Sequence, residues 1–181
     1  MSTMNLARVW RAMLLSALAA MGLFACEPVE AQKWVVFTSP DNDFTVSVPG
    51  EMKSVPEKGN PPGGIPRTRF RLDTDDSYRV VFVVERLDFP DKSISLKPAL
   101  ALDTARDTAV TATRGSLTKE TSIVLGDKMV REIHISGAEG VISTQRMFIA
   151  GDKLYVVFAV GQRSGATEAV TSRFLNSFEI K

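Results

Sequence analysis

The chain reads as an α+β protein, with helices packed on a mainly antiparallel central sheet. Three observations predict this. Short runs rich in β-branched and aromatic residues recur along the chain, separated by turn formers at hairpin spacing. Two of these runs, residues 78–87 (YRVVFVVERL) and 154–160 (LYVVFAV), are apolar on both faces, as in strands covered on both sides. Two other stretches, about 98–113 and 166–176, carry helical spacing instead. Helices beside doubly covered strands imply a layered domain.

The elements follow in order. Residues 33–38 (KWVVFT) and 44–48 (FTVSV) flank Ser39-Pro40-Asp41-Asn42-Asp43, a cluster of turn formers, and so read as a first hairpin. In its second strand Phe44, Val46 and Val48 share one face. Residues 49–66 hold five prolines and four glycines, which excludes a helix or a central strand and predicts a long irregular loop. Residues 67–73 alternate strictly: Arg67, Arg69 and Arg71 take one face, and Thr68, Phe70 and Leu72 the other. Asp73-Thr74-Asp75-Asp76-Ser77 turns that strand into the apolar run 78–87. Residues 87–94 look irregular. A helix follows over 98–113, with Ser95 as the expected cap, Pro98 in the first turn and Gly115 at the exit. Leu102, Ala105, Ala109 and Ala112 form its modest inward stripe.

Two further hairpins are expected. Residues 117–125 and 129–136 flank Gly126-Asp127-Lys128, and residues 141–149 and 154–160 flank Gly151-Asp152-Lys153. A last helix spans 166–176, with Ala166, Val170 and Phe174 four apart. Ser177-Phe178-Glu179-Ile180 then closes the chain against the core.

The first 31 residues read as an export signal. Arg8 and Arg11 precede an uncharged core of 14 residues from position 12 to 25. A membrane-spanning helix needs ~20 apolar residues, so the core is too short to be an anchor. Two cuts stay open. Val29-Glu30-Ala31 has small residues at both recognised positions, and cleavage before Gln32 releases a soluble protein. Leu23-Phe24-Ala25-Cys26 resembles the bacterial lipobox, with Phe24 standing where a smaller residue is usual. Cleavage there makes a lipidated Cys26 the new N-terminus. The expected location is periplasmic or extracellular, with a membrane anchor if Cys26 carries lipid.

Cys26 is the one cysteine in the sequence. The remaining domain, residues 32–181, therefore has no disulfide framework, no thiolate nucleophile and no cysteine metal site. Its length suits a single domain that buries ~70% of its unfolded surface. Arg8 and Arg11 balance Glu27 and Glu30, so losing the leader leaves the formal net charge at +1. That charge makes no case for nucleic acid.

The pattern resembles a known group. Ser39-Pro40-Asp41-Asn42-Asp43-Phe44-Thr45-Val46-Ser47-Val48-Pro49 is similar to the "S-x-D-x-x-F-x-V-x-x-P" opening of the PsbP-like superfamily and its bacterial DcrB-type relatives. Arg173-Phe174-Leu175-Asn176-Ser177-Phe178 is similar to their closing "R-F-L-x-S-F". Gly151-Asp152-Lys153-Leu154-Tyr155 resembles their last hairpin. The likeness covers most of 34–180. It implies an α/β/α sandwich around an antiparallel sheet. It also implies accessory binding without catalysis, since the group includes photosystem subunits, a nuclear binder of a small GTPase, and exported bacterial proteins and lipoproteins of unknown role. No functional residue carries over by a matching motif.

Candidate chemistry is sparse. His134 is the one histidine, on a strand face with Val130, Glu132 and Ser136. No Gly-x-Ser-x-Gly signature accompanies it, and zinc sites need several such ligands. Asp73, Asp75, Asp76 and Ser77 have calcium-like spacing, but Tyr78 and Val84 occupy the positions that need glycine and glutamate. Gly161-Gln162-Arg163-Ser164-Gly165 lacks the lysine of a phosphate loop. Neither a catalytic set nor a cofactor or metal site is expected. Arg67, Arg69 and Arg71 form a one-sided ladder suited to carboxylates or phosphates, against the plainer reading of a solvated face balanced by Glu85. The leading expectation is an exported, non-enzymatic accessory protein that binds another envelope protein. The alternative is a binder of a small anionic ligand or metal ion, and the third reading is an unusual hydrolase.

Overall fold

The computed structural model describes residues 33–50, 57–59, 64–73, 79–90, 93–125 and 128–181. The leader with Cys26, Gln32, the turn at 74–78, the Gly126-Asp127 turn and much of the 49–66 loop lie outside the described residues.

The described strands are β1 (Trp34–Thr38), β2 (Phe44–Pro49), β3 (Glu57–Gly59), β4 (Arg67–Asp73), β5 (Val80–Asp88), β6 (Ser116–Leu125), β7 (Lys128–Ser136), β8 (Val141–Ala150), β9 (Lys153–Gln162) and β10 (Glu179–Ile180). The helices are α1 (Ser93–Leu96), α2 (Pro98–Thr113) and α3 (Gly165–Asn176). Seven strands form one sheet in the order β3-β4-β5-β9-β8-β7-β6, and β1-β2-β10 form a second, smaller one. Every pairing is antiparallel. The mainly antiparallel α+β class read from the sequence is therefore present, with both strands of the first hairpin drawn into their own sheet.

Side-chain alternation divides the large sheet into two faces. One face carries Phe70 and Leu72 of β4, Val80, Phe82 and Val84 of β5, and Tyr155, Val157 and Ala159 of β9. It packs on Phe44, Val46 and Val48 of β2, all 0% exposed, and on Val170, Phe174 and Phe178 in and after α3. This outer layer is thus shared by a helix and the small sheet. Phe44 sits among the rings of Phe37, Phe70, Tyr155 and Phe178, with centroids 5.4–6.2 Å away. Arg173 stacks on Trp34, 4.3 Å from the ring centre, and joins α3 to β1. The other face packs Ile133, Ile135, Met147 and Leu154 against Leu102 of α2 and Ile94 of α1.

The Ser39–Asp43 turn is a clasp. Ser39 is buried, and its Oγ accepts hydrogen bonds from the backbone N–H of Asp43 (2.9 Å) and Phe44 (3.2 Å). Asn42 takes a left-handed φ of 60°, which asparagine tolerates. The turn thereby presents Asp41 and Asp43 to Arg86 of β5 and Lys153 of β9.

Three local expectations change. Ser95 does not cap α2: its Oγ donates to the Gly151 carbonyl, and Lys97 occupies the cap position without a side-chain bond. The left-handed exit residue of α2 is Arg114, with φ 49°, rather than Gly115. Gly115 is needed for space, because a Cβ there would stand 2.6 Å from Ile135 Cγ2 and 2.8 Å from the Ser136 carbonyl oxygen. The 49–66 stretch contains a short edge strand: β3 pairs Glu57 with Arg69 and Gly59 with Arg67. The α3 cap is Ser164, whose side chain accepts from Thr167 N–H at 3.0 Å.

Candidate functional site

An ionic network decides where α2 sits. Arg131 of β7 pairs with Asp103 of α2, and its Nε lies 3.2 Å from Glu120 of β6. Arg106 of α2 reaches the same Glu120 at 3.2 Å. With Leu102 seated on Ile133, Ile135 and Met147, the helix is held over the β6–β7–β8 side of its face. The β4–β5–β9 side is left with little above it.

The result is a groove of about 850 Å³. Its floor is Leu87 of β5 with Leu154, Val156, Phe158 and Val160 of β9. Its roof is the inner edge of α2, where Ala101, Ala105, Ala109 and Ala112 alternate with Thr104 and Thr108. Helix and sheet layers stand roughly 10 Å apart, and an alanine methyl does not fill that gap. The stripe read from the sequence does pack inward through Leu102, Ala105 and Ala109, and its alanines leave room on the side toward β5 and β9. Ile65, Phe89 and Ile94 line one end, beside Lys97 and Leu100. Leu100 is 58% exposed and Leu96 is 81% exposed, so apolar surface continues out of the groove.

The arginine ladder stands on this same face. Arg67, Arg69 and Arg71 lie opposite Leu87, Glu85 and Val83 of β5. Glu85 is shared: its Oε2 accepts from Arg69 Nη2 at 3.0 Å, and its Oε1 lies 3.6 Å from Arg67 Nε. The balancing carboxylate read from the sequence is thus present. Among the described residues that line the groove, Arg67, Arg69 and Lys97 stand against the single carboxylate of Glu85, so this described wall is cationic. Arg67 Nε is shielded from solvent and has no hydrogen-bond partner among the described residues. Arg67 and Arg69 border the groove together, while Arg71 does not line it.

A second cleft of about 490 Å³ lies on the opposite face, between α3 and β6–β8, and holds His134. It is polar, and its central groups satisfy one another. Glu132 Oε1 is 3.1 Å from His134 Nε2, and Glu132 Oε2 accepts from Arg146 Nε at 2.6 Å. Arg146 Nη1 donates to the Leu175 carbonyl at the end of α3. Burial pushes the Glu132 carboxyl up, but the bonds from Arg146 and His134 outweigh it, and its pKa falls below the ordinary value. This is a self-contained ion cluster that ties β7 and β8 to α3.

Near the clasp, burial and the charge of Asp43 push the Tyr155 hydroxyl far above its usual pKa. Asp41 and Asp43 are engaged by cations of the chain itself. Among the described residues no cluster of three or more His, Cys, Asp or Glu side chains is placed to hold a metal ion. Among them, too, no helix is long and apolar enough to cross a membrane.

No family model matches the sequence. No curated protein matches it either. Solved structures do. Cyanobacterial PsbP from Synechocystis sp. PCC 6803 superposes with a TM-score of 0.60 at 14% identity, covering 88% of this chain and 99% of that one. The fold is PsbP-like. The Ran-binding protein Mog1p of Saccharomyces cerevisiae matches with a TM-score of 0.47 at 13% identity, over 82% of this chain and 96% of that one.

Proposed function

We propose that this chain is an exported protein of the bacterial cell envelope, of the DcrB type, that acts by binding without catalysis. The groove beneath α2 is its recognition site. The observation that carries this reading is the groove itself: an apolar floor, a thin alanine roof and a cationic wall. Its volume is in the ~300–1,000 Å³ range of ligand sites. Among the described residues no nucleophile–base pair lines it, and the three charged clusters described elsewhere are occupied in holding layers together. Export rests on Arg8, Arg11 and the uncharged core before Cys26. Lipidation of Cys26 would tether the domain, and cleavage before Gln32 would release it.

The occupant is an envelope protein segment or a small anionic ligand, and Arg67 with Arg69 favours an acidic group in either. A photo-crosslinking amino acid placed at Ala112, in the groove, and at Val124, an exposed position away from it, tests the site in cells. Adducts from Ala112 alone are expected. Equal labelling from both positions would sink the groove assignment. The intact mass of the protein from the envelope fraction reads the leader: a chain that keeps Met1 and stays in the cytoplasm rules out export. Turnover in an esterase, phosphatase and glycosidase panel would overturn the non-catalytic reading.

A further inference from the structure

The groove has two chemically different parts, and a ligand that fills it must have both. The long part is mostly hydrocarbon: Leu87, Leu154, Val156, Phe158 and Val160 below and the α2 alanines above, while the Thr104, Thr108 and Thr113 hydroxyls donate to carbonyls of their own helix and Gln145 donates to Ser143. At its β4 edge stand Arg67 and Arg69, with Glu85 between them as the one carboxylate among the described lining residues. Lys97 adds a further positive charge at the end near Phe89 and Ile94. An apolar peptide would bring backbone N–H and C=O groups into the hydrocarbon part, where the floor and roof side chains give them almost no partners. An acyl chain brings none. A single acidic head group on that chain would meet the cationic edge formed by Arg67 and Arg69. A cationic head would be repelled, and a neutral one would gain little from the charge of the wall.

We infer that the groove binds a long-chain amphiphile with one acidic head group, its chain lying between α2 and the β5–β9 floor and its head against Arg67 and Arg69. This rests on the binding reading above and names the ligand class of that same site. Every methylene that leaves water adds roughly fourfold to affinity, so the groove should measure chain length. A charge-assisted bidentate contact from arginine should then separate an acid from an alcohol of the same length.

Isothermal titration of the full 32–181 domain tests this with octanoate, dodecanoate and dodecyltrimethylammonium, each below its micelle concentration, and with dodecanol below its solubility limit. Dodecanoate is expected to bind at least tenfold tighter than octanoate and at least tenfold tighter than dodecanol, with no binding of the ammonium. Arg67→Gln/Arg69→Gln should erase the gap between dodecanoate and dodecanol while the dependence on chain length survives. Ala109→Trp should abolish binding of both. If that variant does not fold by circular dichroism, Ala105→Leu/Ala109→Leu serves, with at least a tenfold loss expected. Dodecanol binding as tightly as dodecanoate would overturn the acidic head, and undiminished binding to the filled variant would overturn the site. If dodecanoate fails to bind while the Ala112 crosslinker captures an envelope protein, the amphiphile is wrong and the binding reading stands. If neither occurs, both fall.

Discussion

Arg86 is the keystone of the clasp between the Ser39–Asp43 turn and the large sheet, and Arg86→Met removes its charge while keeping its apolar stem. Its side chain is 13% exposed and meets three carboxylates: Asp41, Asp43 at 2.6 Å, and Asp88 at 3.1 Å. After the substitution, of the cations described at the cluster only Lys153 remains, 2.5 Å from Asp43. Fully exposed ion pairs contribute ~0–1 kcal/mol, whereas stripping one partner from a buried pair costs ~3–5 kcal/mol. The three carboxylates are 43%, 23% and 31% exposed, so solvent screens part of the repulsion left behind. The expected loss is about 2 kcal/mol, between those limits. For a domain of this size that lowers Tm by ~4–8 °C.

The same variant has a pH signature. Burial pushes the Asp41 carboxyl up, but the Arg86 hydrogen bond, the Ser39 hydroxyl and the Arg86 charge outweigh it and hold it below the usual carboxylate range. A carboxyl with a depressed folded pKa contributes stability above its unfolded value, near ~3.9, and loses it as pH falls through the folded value. The gap between wild type and Arg86→Met should therefore be full at pH 7 and at pH 5, then narrow below about pH 4. Urea unfolding at pH 7, 5 and 3, read as midpoint and slope, measures both effects. A loss below about 0.5 kcal/mol at pH 7, within the spread of ordinary surface substitutions, would refute the clasp. So would a gap of constant size down to pH 3.

Two further substitutions probe how the layers are joined. Ser39→Ala removes the acceptor for two backbone N–H groups at a buried position, and should cost ~1–3 kcal/mol; urea unfolding at wild-type stability would show that the turn holds itself. Gly115→Ala places a methyl 2.6 Å from a buried Ile135 methyl, and overpacking of this kind costs ~1–3 kcal/mol; a Tm within a degree of wild type would mean that β6 and β7 part freely at that end.

Much of the fold was legible because local signals agreed with the tertiary result. The helix over 98–113 and the strand over 67–73 were read with the boundaries that α2 and β4 have, since proline at the first turn and strict alternation are signals within a few residues. The hairpin partners β6–β7 and β8–β9 were legible for the same reason. Departures arose where a distant group competed. Ser95 gave up the cap because the Gly151 carbonyl lies within its reach, 56 positions along the chain. The shared Glu85 could be named from the sequence, since it falls on the neighbouring strand at matching parity. The groove could not. Ala105, Ala109 and Ala112 have the spacing of a packed stripe, and spacing does not report the distance to the facing layer. Arg131, which ties α2 to β7 through Asp103 and meets Glu120 of β6, has no local signature at all.

The two faces of the large sheet are covered on opposite sides. On one, β2 and α3 bury the β4–β5–β9 part and leave the polar cleft above β6–β8. On the other, α2 buries the β7–β8 part and leaves the groove above β5 and β9. The difference between the two vacancies lies in what the strands carry beneath them. Glu132, His134 and Arg146 under the polar cleft pair with one another and with the end of α3, so these three groups already have partners within the chain. Val156, Phe158 and Val160 under the groove have no such option, because apolar side chains gain only from contact. Strands apolar on both faces ordinarily find a full layer on each side, and here the second layer is lined with alanine. Leucine at Ala105 and Ala109 would close that layer and strengthen the core. A chain that keeps the smaller residues forgoes that burial, which is the trade expected where the gap itself is used.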